Sequence, residues 1–185
     1  MKDFLKTLNI LTEEESQQID SLTHKKYISK NDFLIRNGEI CNEIVFIKSG
    51  ILRSFYISED GEEITNCISF KNDLMSAYSS FISQSPTDEN IQALYDTELE
   101  FIYRKDLMNL YQNSIHWERL GRVLAEMQYV LLENRLASFQ KHNAKQRYNQ
   151  LLKNHPNYIQ FIPLKDLASF LGISKRHLSR LRKEI

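Results

Sequence analysis

The order of apolar and polar positions changes character three times along the chain. Over residues 3–24, Phe4, Leu5, Leu8, Ile19 and Leu22 recur among polar residues at helical spacing, and Thr12 with Glu15 forms a capping-box signature. From residue 26 to about 103 the period shortens. Runs such as DFLI, EIVFIK, ILRSFYIS, EITNCISF and ELEFIY collect β-branched and aromatic residues. Turn signals separate them at Arg36-Asn37-Gly38-Glu39, Lys48-Ser49-Gly50 and Glu59-Asp60-Gly61-Glu62. The last places Asp-Gly between two strand-like runs and predicts a hairpin. Many short strands at this spacing predict a sandwich or barrel. A helical stretch near 74–83 and a polar loop at 84–89 interrupt that region. Helical periodicity takes over at 114–141, and 142–185 reads as a compact helical module with a turn at His155-Pro156-Asn157.

Within that module, residues 164–183 read LKDLASFLGISKRHLSRLRK and meet the steric demands of a helix-turn-helix. Ala168 is small where a second helix would cross, and Gly172 suits a turn that needs a positive φ. Leu167, Leu171, Ile173, Leu178 and Leu181 supply the inward-facing positions. Pro163 suits the first turn of the first helix, and Ser174 is placed to cap the second. That second helix then presents Lys175, Arg176, His177, Ser179, Arg180 and Arg182 outward. Residues at its N-terminal end meet base edges, where Arg binds guanine bidentately. Lys165 and Lys183 are expected to contact phosphate. The DNA-binding set is therefore Ser174, Lys175, Arg176, His177, Ser179, Arg180 and Lys183.

In the 114–141 stretch, Leu120, Val123, Met127, Val130 and Asn134 fall at alternating spacings of three and four, a coiled-coil seam that predicts a parallel homodimer. Leu124 and Leu131 widen the stripe and are expected to face the protein's own β-rich part. A reader of DNA with one small helix-turn-helix gains affinity from two half-sites, which favours the dimer.

Charge sharpens this picture. The formal net charge is zero, yet from residue 141 onward ten Lys/Arg face two acids, a net +8, and the remainder carries −8. A basic module attached to an acidic body suits a polyanionic partner, here double-stranded DNA. No apolar run approaches the ~18–20 residues of a membrane span. The N-terminal segment MKDFLKTLNILTEEE makes a poor signal peptide, so a cytoplasmic location is expected. Cys41 and Cys67 are too few for a disulfide framework or a four-cysteine cluster. None of the five histidines lies in 26–103, which argues against a cupin-type metal site. With no P-loop, dinucleotide fingerprint or nucleophile elbow, neither enzyme activity nor a cofactor is expected. Met75, Tyr78, Phe81 and Tyr95 are candidate lining residues of an effector pocket for a small molecule.

The succession of short N-terminal helix, glycine-punctuated β-roll, long helix and C-terminal helix-turn-helix resembles the Crp/Fnr family of transcription regulators over nearly the whole chain. Its anchors are the spacing of Gly38, Gly50 and Gly61, the element Phe46-Ile47-Lys48-Ser49-Gly50, and the segment LASFLGISKRHLSRLRK. The resemblance implies an α+β protein: a cupin-like jelly-roll sensor of the cyclic-nucleotide-binding type (1–113), a dimerisation helix (114–141) and a helix-turn-helix DNA-binding domain (142–185). It also implies a phosphate cassette with a Gly-Glu pair and an Arg. Here Ser76 and Ala77 stand at the pair, and Thr87-Asp88-Glu89-Asn90 supply no Arg. Burying a cyclic phosphate without a cation is costly, so tight cyclic AMP binding is not expected. The family's wing is expected to be truncated, because little sequence follows the second helix. Arg176 replaces the family's acid on the recognition helix, so the operator is its own. The expected function is sequence-specific transcription regulation under an unknown effector. The alternative is a ligand-binding or protein-interaction module that has lost DNA binding.

Overall fold

A computed structural model describes residues 1–183. The helical pattern at the N-terminus divides into α1 (Lys2–Thr7) and α2 (Glu13–Leu22), because the backbone turns at Asn9 with φ +52°. The Thr12–Glu15 capping box is made in full. Glu15 N donates to Thr12 Oγ1 at 3.2 Å, and Thr12 N donates to Glu15 Oε2 at 2.8 Å.

The short runs that follow are strands: β1 (His24–Ile28), β2 (Phe33–Ile35), β3 (Glu43–Ser49), β4 (Leu52–Ile57), β5 (Glu63–Ser69) and β6 (Leu74–Met75). After α3 (Tyr78–Ser83) come β7 (Asn90–Ala93) and β8 (Thr97–Tyr103). They form two four-stranded sheets, β1-β8-β3-β6 and β2-β7-β4-β5, which is the expected β-roll. β3 and β8 run antiparallel with Val45 opposite Phe101 and Ile47 opposite Leu99. Those four side chains are all buried, as the inward face of a pleated pair must be. The Asp60-Gly61 signal makes the β4–β5 hairpin, closed by Gly61 N donating to Ser58 O at 2.9 Å.

Helix α4 (Arg104–Asn113) lies in a stretch whose sequence was not read as helical; Leu107 and Leu110 bury its inner face. The long helix α5 (Ile115–Lys141) appears where periodicity placed it. It is followed by α6 (Ala144–Asn154), α7 (Pro156–Phe161), α8 (Leu164–Phe170) and α9 (Lys175–Lys183).

The chain divides into two compact units that do not follow chain order. One comprises Met1–Ser54 with Ile68–Glu126, and the other Phe55–Cys67 with the chain from Met127 onward. The division therefore runs inside α5, whereas the sequence suggested boundaries at 113/114 and 141/142. The tip of the β4–β5 hairpin belongs with the C-terminal helices. In the first unit Ile19, Val45, Ile47, Leu52, Leu99 and Trp117 are at most 1% exposed. Each such side chain contributes roughly 1.5–3 kcal/mol of burial. Leu120 joins this core at 2% exposure, which corrects its assignment to an intermolecular seam: the first turns of α5 are consumed by the protein's own packing.

Gly50 joins β3 to β4 at φ +94°, and a Cβ there would lie 2.3 Å from Thr97 Oγ1 and 2.6 Å from the Asp96 carbonyl oxygen. Gly38, at φ +88°, has open space around it. Gly50→Ala should therefore lower the unfolding free energy by about 3 kcal/mol or more, strain adding to overpacking. Gly38→Ala should cost only the backbone strain, about 1–2 kcal/mol. Urea titrations of the two variants measure the difference.

Candidate nucleic-acid interface and sensor cavity

The helix-turn-helix forms as its sequence demanded. Gly172 takes φ +66° between α8 and α9, and Ser174 Oγ accepts from His177 N at 3.2 Å to cap α9. Leu167, Ala168, Leu171, Leu178 and Leu181 are buried, and Ile173 is half-buried. Because those apolar positions fix the rotation of α9, Lys175, Arg176, His177, Arg180 and Lys183 are exposed, with Ser179 half-buried between them. Arg176, Ser179, Arg180 and Lys183 line a shallow depression of about 330 Å³. Four residues named from sequence thus share one surface. Arg182 does not join them. Its Nη2 donates to the Ile159 carbonyl at 3.4 Å, turning the side chain back against α7.

Lys165 is also engaged within the protein, 2.9 Å from Glu63 Oε2 on β5. One helical turn on, Ser169 Oγ donates to the Glu63 carbonyl at 2.9 Å and accepts from Thr65 N at 2.8 Å. The Thr65 carbonyl receives Arg135 Nη2 at 3.4 Å, and the same nitrogen donates to Phe170 O at 3.2 Å. β5 is the edge strand of its sheet. Along this stretch two side chains meet the groups that a neighbouring strand would otherwise pair.

The Arg135 guanidinium lies 4.1 Å from the Phe170 ring centroid and 5.1 Å from that of Phe139. Desolvation by burial pushes its pKa below the ordinary arginine value. Arg147 approaches Phe139 at 4.9 Å and donates through Nε and Nη2 to the Leu171 carbonyl, at 3.1 and 3.0 Å. Phe139 in turn packs where a Cβ on Gly172 would be, 2.7 Å from Phe139 Cε1. The turn of the helix-turn-helix is thus bolted to the end of α5. Glu63, Ser169, Arg135 and Arg147 were not singled out from sequence. Their partners lie far along the chain, and only the Asn143–Gln146 capping box of α6 marked the neighbourhood locally.

On α5, Met127, Val130 and Asn134 of the predicted seam are exposed and Val123 is half-buried. Leu131, expected to face inward, is 60% exposed, so the outward apolar stripe is broader than the seam. Leu124 does pack on the first unit's core.

In the sensor, none of the four pocket candidates lines the cavity described below. Met75 and Phe81 are core, and Tyr78 stacks on Phe81 with centroids 6.2 Å apart. Tyr95 is exposed beside Lys30. A cavity of about 200 Å³ opens instead among Leu34, Ile35, Cys41, Ala77 and Ile91, with Glu39, Asn42 and Glu43 also lining it; the Glu43 carboxylate is paired with Lys26 Nζ. Ser76 Oγ donates to the Glu43 carbonyl at 3.1 Å and lies 3.3 Å from Cys41 Sγ, so it serves this wall. Farther along the cassette segment, the Glu89 carboxylate accepts from the buried Ser54 hydroxyl. Burial pushes the Glu89 pKa above the ordinary glutamate range, and the Ser54 bond offsets part of that shift. Among the described residues no cluster of three or more His, Cys, Asp or Glu could hold a metal ion. No helix among them is long and apolar enough to cross a membrane.

The β-roll, the long helix and the helix-turn-helix follow one another in the order of a Crp/Fnr-type regulator, which this chain resembles. Comparison with known proteins agrees: residues 25–114 match the cyclic nucleotide-binding domain family. The chain is 28% identical to the anaerobic regulatory protein of Haemophilus influenzae, over 92% of this chain and 70% of that one. Among solved structures it superposes on FixK2 from Bradyrhizobium japonicum with a TM-score of 0.78 at 14% identity, covering 88% of this chain and 83% of that one. A Crp/Fnr-family transcriptional regulator from Eubacterium rectale gives 0.74 at 20% identity, covering 98% and 87%. At such identities the two structures speak for the fold.

Because its folded-state pKa is raised, Glu89 favours folding fully below the ordinary glutamate range, and that contribution is lost as pH rises through the raised value. Glu89→Gln should therefore raise the thermal midpoint at pH 7, and the gain should vanish by about pH 4. Paired melting curves across that range test it.

Proposed function

We propose that this protein is a cytoplasmic transcription regulator that binds double-stranded DNA sequence-specifically as a homodimer. In this reading residues 1–113 form the sensor, 114–141 the dimer helix and 142–185 the DNA reader. It acts without enzymatic activity, under an unidentified effector other than cyclic AMP. The carrying observation is α9. Its apolar side is locked by Leu178 and Leu181, while Arg176 and Arg180 stand exposed on one face at i and i+4. A recognition helix needs that division. Base readout falls to Lys175, Arg176, His177, Ser179 and Arg180, with Lys183 on phosphate and Ser174 fixing the helix start.

The dimer reading is supported by the exposed apolar run of α5. Met127, Val130, Leu131, Leu132 and Leu136 are 45–60% exposed over three turns of one helix. Crp/Fnr regulators act as dimers, and a second α5 is the occupant that matches this stripe. Exclusion of cyclic AMP is supported by the cassette segment 74–90, which carries no Arg and places the Glu89 carboxylate on the buried Ser54 hydroxyl.

Selection of random duplex DNA on the purified protein should enrich a two-fold-symmetric motif with half-sites about one helical turn apart. Arg176→Ala with Arg180→Ala should erase the sequence preference, each Arg being worth about 1–3 kcal/mol of discrimination. Failure to enrich any motif at low and moderate salt would overturn the reading and leave a module without DNA function. Cyclic AMP at roughly 1 mM should leave the thermal midpoint unchanged, since a ligand at 100 times its Kd stabilises by about 2.7 kcal/mol.

A further inference from the structure

We propose that the Lys165–Glu63 pair is a latch: Lys165 exchanges the Glu63 carboxylate for a DNA phosphate, so the β4–β5 hairpin sets the threshold for DNA binding. This rests on the DNA-binding reading and adds an intramolecular competitor to it. Lys165 is the second residue of α8, the helix that precedes the recognition helix. In a docked helix-turn-helix the first helix crosses the phosphate backbone, so a lysine in its first turn is within reach of a phosphate.

In the free protein that ammonium lies 2.9 Å from Glu63 Oε2. The pair is accessible, with side chains 55% and 31% exposed, so exchange requires no unfolding. Glu63 is also held in register. Its carbonyl accepts from Ser169 Oγ, and the Thr65 amide donates back to the same oxygen, on the same helix as Lys165. Arg135 fixes the Thr65 carbonyl, two residues along the same edge of the strand. The carboxylate is consequently presented to Lys165 by an anchored strand and does not depend on a mobile side chain finding its partner. When α8 meets DNA the two anions compete for one cation, and a displacement of the hairpin changes which of them wins.

The test is a double-mutant cycle on the full chain, with Glu63→Gln and Lys165→Gln singly and together. Its readout is affinity for a random-sequence duplex as a function of salt. Both positions are surface-accessible, and thermal melts establish that all four proteins fold. Glu63→Gln should tighten binding about two- to fivefold, the range an exposed ion pair commands. Lys165→Gln should weaken binding and reduce the slope of log affinity against log salt by about one. In the Lys165→Gln background, Glu63→Gln should have no further effect. An equal effect of Glu63→Gln in both backgrounds would mean that only its long-range charge matters, and would overturn the latch. So would a salt slope that Lys165→Gln leaves unchanged. If the wild-type protein binds no duplex at any salt, the DNA-binding reading itself fails; if it binds and the cycle shows no coupling, the latch alone fails.

Discussion

The guanidinium of Arg135 is the point on which the C-terminal unit turns. A largely buried cation is expensive, and burial pushes its pKa down accordingly. What makes it tolerable is its surroundings: the aromatic rings of Phe139 and Phe170 close to the cation, and the carbonyls of Thr65 and Phe170 accepting from Nη2. Those partners come from the long helix, the end of the first helix of the helix-turn-helix, and an edge strand of the sheet. A lysine would not serve, because a compact ammonium cannot stack on one ring while forking to two carbonyls. Arg147 also lies close to Phe139 and donates to the Leu171 carbonyl, so the turn at Gly172 is held by ring and carbonyl contacts.

The strands, the hairpin at Asp60-Gly61, the long helix and the helix-turn-helix were legible because each rests on local rules: period two, period 3.6, a positive-φ glycine, a capping serine. Leu178 and Leu181 set the rotation of α9, so its exposed cations were legible too. The failures share a cause. Leu120 carries the spacing of a seam residue, but spacing does not say which apolar surface claims it, and the protein's own core did. Tyr95 and Arg182 had suitable chemistry with the wrong neighbours. Glu63 and Ser169 meet across 106 residues of sequence, and no local pattern announces such a contact.

The sensor shows how a fold persists while its chemistry changes. The match to the cyclic nucleotide-binding domain family covers 25–114, and the β-roll is intact. Within it, Ser76 is absorbed into hydrogen bonds with Glu43 and Cys41, Ala77 leaves a cavity wall without charge, and Glu89 places a carboxylate on Ser54. The roll itself is held by the buried Val45, Ile47, Leu52 and Leu99, so its lining can differ without disturbing the core.

The covering of the β5 edge by Ser169 and Arg135 also has a consequence during synthesis. The hairpin leaves the ribosome about one hundred residues before the serine that closes its outer edge. At about 5–20 residues per second that delay is on the order of 5–20 s. Throughout it, a nascent strand bearing Ile64 and the buried Thr65 offers open amides and carbonyls to any extended segment nearby, including the same strand on a neighbouring nascent chain. The polar tip Ser58–Glu62, with three acids in five residues, lends that interval charge repulsion before the helix arrives.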